Sequence, residues 1–212
     1  LRRSSIADKP VYFKKDTLSE SFKKKHFAEV SDFITNRRTL TQPSSAKKLM
    51  IAIKKKYKFY LIENGRITDT LEMALGQNPK YHKIRQGDNR TPEGEYKITQ
   101  KAKGPFSGSV GPYFGERWIR LNYPPWYDAE IGFDNKIIDQ KAKERIQKAI
   151  LADQKPPKDT DLGGGIGIHG WSGEWDPNGH RNLTWGCISI NNPDLVVLYN
   201  KIEIGDKIII SE

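Results

Sequence analysis

One cysteine and one histidine, eighteen residues apart, are the side chains of this 212-residue chain with the best prospect of covalent chemistry. Cys187 is the only cysteine and lies in "TWGCISINNPDL"; His169 lies in "GGGIGIHGWSG". A thiolate is a strong nucleophile, and an imidazole within hydrogen-bond reach of the sulfur raises the thiolate fraction at neutral pH. Glycines on both sides of His169 leave room for a substrate backbone to approach. The intervening "WSGEWDPNGHRNLT" is long enough to join two antiparallel strands that would set the two side chains face to face. The same spacing also suits a core cysteine and a core histidine that never meet. A lone cysteine cannot form an internal disulfide, so pairing does not constrain the redox compartment. No metal site is expected: zinc needs three or four ligands, and Cys187 with nearby His180 supplies neither CxxC nor HExxH. His26 and His82 complete the histidines.

The elements around this pair read as mostly strands. "KLMIAIKKKYKFYLIENGRITDTLEMAL" gives an apolar run, a basic stretch, a second run, the turn Glu63-Asn64-Gly65-Arg66 and a third run. Asn-Gly between β-rich runs is a strong hairpin signal. "GEYKITQKA", "RWIRLNYPPW", "GGGIGIHG", "WGCISI" and "DKIIIS" read as further strands. "NKIIDQKAKERIQKAILADQK" places Ile137, Ile138, Ala142, Ile146 and Ile150 at helical spacing and predicts one surface helix of about five turns. "NNPDLVVLYNKI" predicts a short helix with Asn192 as N-cap and Pro193 in its first turn. Residues 1–45 are rich in Lys, Arg, Ser and Thr and predict a basic helical segment and linker; a domain of residues 46–212 follows. Within it, residues 124–160 read as a helical insertion, either a lid at the cleft or a cover for the sheet.

Charge is unevenly placed. The net charge is +10 overall, made of +7 in residues 1–48, +8 in 49–158 and −5 in 159–212. The segment with Cys187 is therefore the acidic one. A basic arm suits an anionic wall polymer, an anionic lipid surface or nucleic acid, and also suits a solvated surface. The clusters at 23–25 and 54–56 with "YKFY" have the texture of an oligonucleotide-binding barrel, but also of a half-buried sheet, and no RNA- or DNA-binding signature accompanies them; no nucleic-acid partner is expected. No window approaches the ~18 apolar residues of a membrane helix. Leu1-Arg2-Arg3 opens no apolar leader, so an export signal, if one exists, is expected to be already removed.

His169, a 14-residue gap and Thr184-Trp185-Gly186-Cys187, with Asn191 close behind, resemble the catalytic signature of the L,D-transpeptidases of the YkuD type. "LMIAIKKKYKFYLIENGRITDTLEMALGQ" is similar to the opening hairpin of that family. "GDNRTPEGEYKI", with Thr91, Pro92 and Gly94, is similar to its Thr-Pro-x-Gly strand. The likeness runs from about Leu49 to Ile210. It implies a mostly-β sandwich or barrel with peripheral helices, and acyl transfer on bacterial peptidoglycan stem peptides. Cys187 would be the nucleophile, His169 its base, and the Gly170 carbonyl the group that orients the imidazole. The amides of Gly186 and Cys187 would hold the oxyanion, and Trp171, Thr184, Trp185, Ser189 and Asn191 would bind substrate. D-Ala would leave; an amine acceptor gives a crosslink, and water gives L,D-carboxypeptidase trimming. The resemblance further implies no cofactor, sensitivity to carbapenem-type inhibitors, and a place in the bacterial periplasm or envelope. The chain departs from the signature twice: Trp185 stands where the family has His, and Ser189 where it often has Arg. A catalytically lapsed cell-wall- or nucleic-acid-binding module is the alternative that these departures favour.

Overall fold

The computed structural model describes residues 48–212 apart from Pro177 and His180. The expected helical segment at 1–45 lies outside the described residues. The first strand, β1 (Lys48–Ile53), passes through a short 3₁₀ turn at Lys54–Lys56 into β2 (Lys58–Glu63). Asn64 (φ 49°) and Gly65 (φ 74°) then reverse the chain into β3 (Arg66–Glu72). Two successive residues with positive φ make the tight turn whose twist suits a two-stranded ribbon, and Asn-Gly is the pair that adopts it with least strain. The remaining strands are β4 (Leu75–Gly76), β5 (Gly94–Lys103), β6 (Arg117–Leu121), β7 (Gly167–His169), β8 (Asn182–Thr184), β9 (Ile188–Ser189) and β10 (Lys207–Ser211). The helices are α1 (Trp126–Asp134), α2 (Gln140–Leu151) and α3 (Asn192–Lys201).

Eight strands form one sheet in the order β3-β2-β1-β10-β5-β6-β7-β9, and β4 and β8 form a small second sheet. The large sheet curls around a single core. Met50, Phe59 and Leu61 from one end of the strand order meet Ile98, Ile119, Ile168 and Ile188 from the other, and Leu195 and Leu198 of α3 close the cluster. β10 shows why the pattern works. Ile208 and Ile210 enter this core while Ile209 points to the opposite face, packing against Ile51, Ile53 and Ile62. Each fully buried Ile or Leu contributes about 1.5–3 kcal/mol of hydrophobic transfer, and this cluster fixes the strand ends that carry Cys187 and His169.

Three expectations need correction. β7 and β9 are parallel, not antiparallel, with Ile168 opposite Ile188 and His169 opposite Ser189. The connecting chain leaves the sheet, pairs β8 with β4, and re-enters beside β7 in the same direction. The insertion holds two helices rather than one. Asp139 accepts a hydrogen bond from the Ala142 amide (2.8 Å) and starts α2, while α1 ends at Asp134 ahead of Lys136 at φ 58°. The N-cap of α3 is Asn191, whose Oδ1 accepts from the Asp194 amide at 2.9 Å; Asn192 is already helical. The insertion packs on itself through Ala129, Ile138, Ile146 and Leu162. His82 Nε2 lies 3.0 Å from Oδ1 of buried Asp128, a contact that ties α1 to the loop before β5. Among the described residues no helix is long and apolar enough to cross a membrane.

Candidate active site

β7 ends on His169 and β9 begins one residue after Cys187, so the parallel pairing brings the two chemistry-bearing residues to neighbouring strand ends. Both line one cavity of about 340 Å³. Its wall is completed by Gln77, Val110, Tyr113, Phe114, Gly164, Gly165, Ile166, Trp171, Leu183, Thr184 and Trp185. None of these residues is ionised at neutral pH, and none belongs to the 124–160 insertion. The helices of the insertion therefore do not line this cavity.

His169 is buried, and its Nδ1 lies 2.6 Å from the Gly170 carbonyl. A carbonyl only accepts, so Nδ1 carries the proton and Nε2 keeps its lone pair. The Phe114 ring lies 5.1 Å from the imidazole and the Trp118 ring 6.2 Å away, nearly parallel to it. This apolar enclosure pushes the imidazole down to about 4, against an ordinary 6.5, with the Gly170 bond opposing the shift. Burial acts on Cys187 in the opposite sense and pushes its thiol up to about 11, although the side chain keeps a partly exposed surface. The sulfur lies 3.8 Å from the Gly165 carbonyl, an acceptor suited to a protonated thiol. The sequence-based expectation of an enriched thiolate is thus reversed: both groups rest neutral at pH 7, because desolvation penalises each charged form.

The turn into Cys187 is built by its neighbours. Gly186 has φ +131°, and a side chain there would run into the Arg90 carbonyl, which explains the glycine before the cysteine. The Thr184 hydroxyl donates to the Cys187 carbonyl at 2.6 Å and accepts from the Gly186 amide at 3.2 Å. The Gly186 amide expected at the oxyanion is therefore already engaged by Thr184.

Of the five residues expected to bind substrate, Trp171, Thr184 and Trp185 line the cavity and two do not. Ser189 is fully buried, with its hydroxyl donating to the Gly170 carbonyl at 3.0 Å. Asn191 caps α3 and also donates from Nδ2 to Asp194 at 2.7 Å. Trp175 is half-buried away from the cavity wall. Trp185 is 62% exposed and rests against Tyr113 at 6.2 Å, forming an aromatic rim.

Sequence reasoning missed Asn192 and the 104–116 loop. Asn192 Nδ2 donates to the Trp171 carbonyl at 2.9 Å, its Oδ1 accepts from the Glu116 amide at 3.2 Å, and a side chain at Gly170 would collide with that oxygen. The loop supplies the Phe114 carbonyl, which accepts from the Gly170 amide at 2.9 Å. The doubled Asn191-Asn192 was the available signal, since one asparagine suffices for a cap. The loop reads as a plain Gly/Pro connection.

A model of the L,D-transpeptidase catalytic domain matches residues 46–210. The chain belongs to this family. It is 25% identical over 162 residues to the provisionally named L,D-transpeptidase YqjB of Bacillus subtilis, covering 72% of this chain and 71% of that one. Among solved structures, the helical cell shape determining protein Pgp2 of Campylobacter jejuni superposes with a TM-score of 0.53 at 18% identity, over 85% of this chain and 55% of its own. Its K307A mutant gives a TM-score of 0.53 at 21% identity, over 79% and 47%. Bd1075 of Bdellovibrio bacteriovorus gives 0.52 at 16% identity, over 80% and 49%. The chain thus spans about half the length of these structural relatives, and the likeness establishes a shared fold: mostly strands in a curled sheet with few helices.

Proposed function

We propose that this domain catalyses L,D-transpeptidation of peptidoglycan stem peptides through a thioester on Cys187. The observation that carries the reading is the shared cavity of Cys187 and His169, with Nδ1 held by the Gly170 carbonyl so that Nε2 is the free base. As the sulfur attacks the carbonyl of the residue preceding a terminal D-Ala, its proton passes to His169 Nε2. Proton transfer in step with attack avoids forming a buried ion pair before substrate arrives. The developing oxyanion takes the Cys187 amide, since the Gly186 amide is engaged. The imidazolium then returns its proton to the leaving D-Ala amine. An acceptor amine attacks the thioester, giving up a proton to His169, and expels the thiol to complete the crosslink. Water in place of the amine gives L,D-carboxypeptidase trimming.

No metal or organic cofactor takes part in this scheme. The substrate places the enzyme in the bacterial envelope, and the basic segment 1–45 is suited to an anionic wall or membrane surface. The bonds that aim His169 favour an enzyme over a lapsed binding module, because a binding module has no need of an oriented base. The test is intact-protein mass spectrometry after incubation with meropenem, a carbapenem, followed by purified tetrapeptide muropeptides. A single drug adduct on the wild type that is absent from Cys187→Ala, with release of D-Ala from the muropeptide, supports the proposal. No adduct and no D-Ala release would sink it.

A further inference from the structure

We propose that Ser189 is a positioning residue of the catalytic pair: by sharing the Gly170 carbonyl with His169 Nδ1, its hydroxyl fixes the plane and tautomer of the imidazole. The kinetic consequence rests on the acyl-transfer reading above; the spectroscopic one does not.

A carbonyl oxygen has two lone pairs. At Gly170 one takes His169 Nδ1 at 2.6 Å and the other takes Ser189 Oγ at 3.0 Å. Ser189 is a firm anchor for this purpose. Its amide donates to the Ala74 carbonyl at 2.9 Å, its own carbonyl accepts from the Ala74 amide at 2.7 Å, and β9 sets it in register with His169. The Gly170 peptide is restrained elsewhere too, by the Phe114 carbonyl on its amide and by Asn192 Oδ1 against its Cα. Ser189 completes that set on the oxygen itself.

The site is fully buried, so the hydroxyl must find its acceptor in the protein, and Gly170 provides it. Without that hydroxyl the carbonyl keeps a single donor, its peptide plane gains freedom to tilt, and the imidazole tilts with it. A carbonyl relieved of its second donor also bonds more strongly to an imidazolium, which makes His169 easier to protonate. The arginine of the family signature is thus replaced by a residue that acts inward on the base and does not reach substrate.

The test compares the wild-type chain, Ser189→Ala and Ser189→Thr, with histidine-¹⁵N NMR for tautomer and Nδ1-proton exchange, and the pH dependence of Cys187 acylation by meropenem. In the wild type His169 should be wholly the Nδ1–H tautomer. In Ser189→Ala the Nδ1 proton should exchange about fivefold faster, as loss of a ~1 kcal/mol restraint allows. Acylation should slow by about 10- to 100-fold, the range for a misplaced catalytic group, and its acid limb should move to higher pH. Ser189→Thr, which keeps the hydroxyl, should restore both. A Ser189→Ala protein with wild-type exchange, tautomer and acid limb would overturn the proposal whatever its melting temperature. If the wild type gives neither a meropenem adduct nor D-Ala release, the transpeptidase reading fails, and the NMR comparison still decides the role of Ser189.

Discussion

Alkylation of Cys187 separates two ways of activating a thiol. The thiol is pushed up to about 11, against 9.0 for an ordinary one, and the imidazole down to about 4, against 6.5. At pH 7 the thiolate fraction is then about 10⁻⁴, where an ordinary thiol reaches about 10⁻². Iodoacetamide reacts with thiolate by displacement of iodide at its methylene carbon, a step with no carbonyl addition for His169 to assist. Its labelling of Cys187 should therefore be about 100-fold slower than that of a free thiol at pH 7, and should climb about tenfold per pH unit to near pH 10. His169→Ala should leave this rate within about twofold, because a neutral imidazole lends the sulfur no charge. Meropenem acylation should behave differently: its carbonyl can be attacked while the proton moves to Nε2, so His169→Ala should slow it by about 10²- to 10⁴-fold. Timed mass spectrometry of both adducts across pH 5–10 reads both effects. A labelling plateau between pH 5 and 8 that His169→Ala abolishes would refute the argument, since it would show a preformed thiolate–imidazolium pair.

Three further outcomes follow. Because the folded state holds His169 at about 4 and the unfolded chain near 6.5, its contribution to stability is full above pH 6.5 and is lost as the pH falls toward 4. The wild type should lose about 2 kcal/mol more than His169→Gln between pH 7 and pH 5, measured by urea unfolding; equal losses would exclude this assignment. Gly170→Ala forces a side chain against Asn192 Oδ1 and should cost about 1–3 kcal/mol, part of which Asn192→Ala should recover in the double variant; additive losses would show that the two do not collide. Asp128→Ala removes the carboxylate beside His82 Nε2 and should destabilise by about 1–3 kcal/mol. Folded Asp128→Ala at low temperature should still acylate at the wild-type rate, because the insertion does not line the cavity; slowed acylation would give α1 a role at the site.

Most of the large sheet's strands, the Asn64-Gly65 hairpin and the candidate pair Cys187 and His169 were legible in the residues alone. Those signals are local: an alternating apolar pattern, a turn pair that tolerates positive φ, and a rare residue type beside glycines. The Gly170 carbonyl was legible only through resemblance to a family. The remaining features depend on contacts between distant segments. The parallel pairing of β7 and β9 follows from β8 leaving to join β4, a partner more than a hundred residues upstream. The start of α2 turns on Asp139 as a cap, which leaves Ile137 and Ile138 of the helical pattern outside the helix, and α1 lies ahead of that pattern altogether. The inward role of Ser189 and the clamp by Asn192 need the Gly170 peptide in place before either has a partner. The neutral resting state of Cys187 and His169 has the same origin, because desolvation belongs to the packed cavity, and residue spacing carries no record of it.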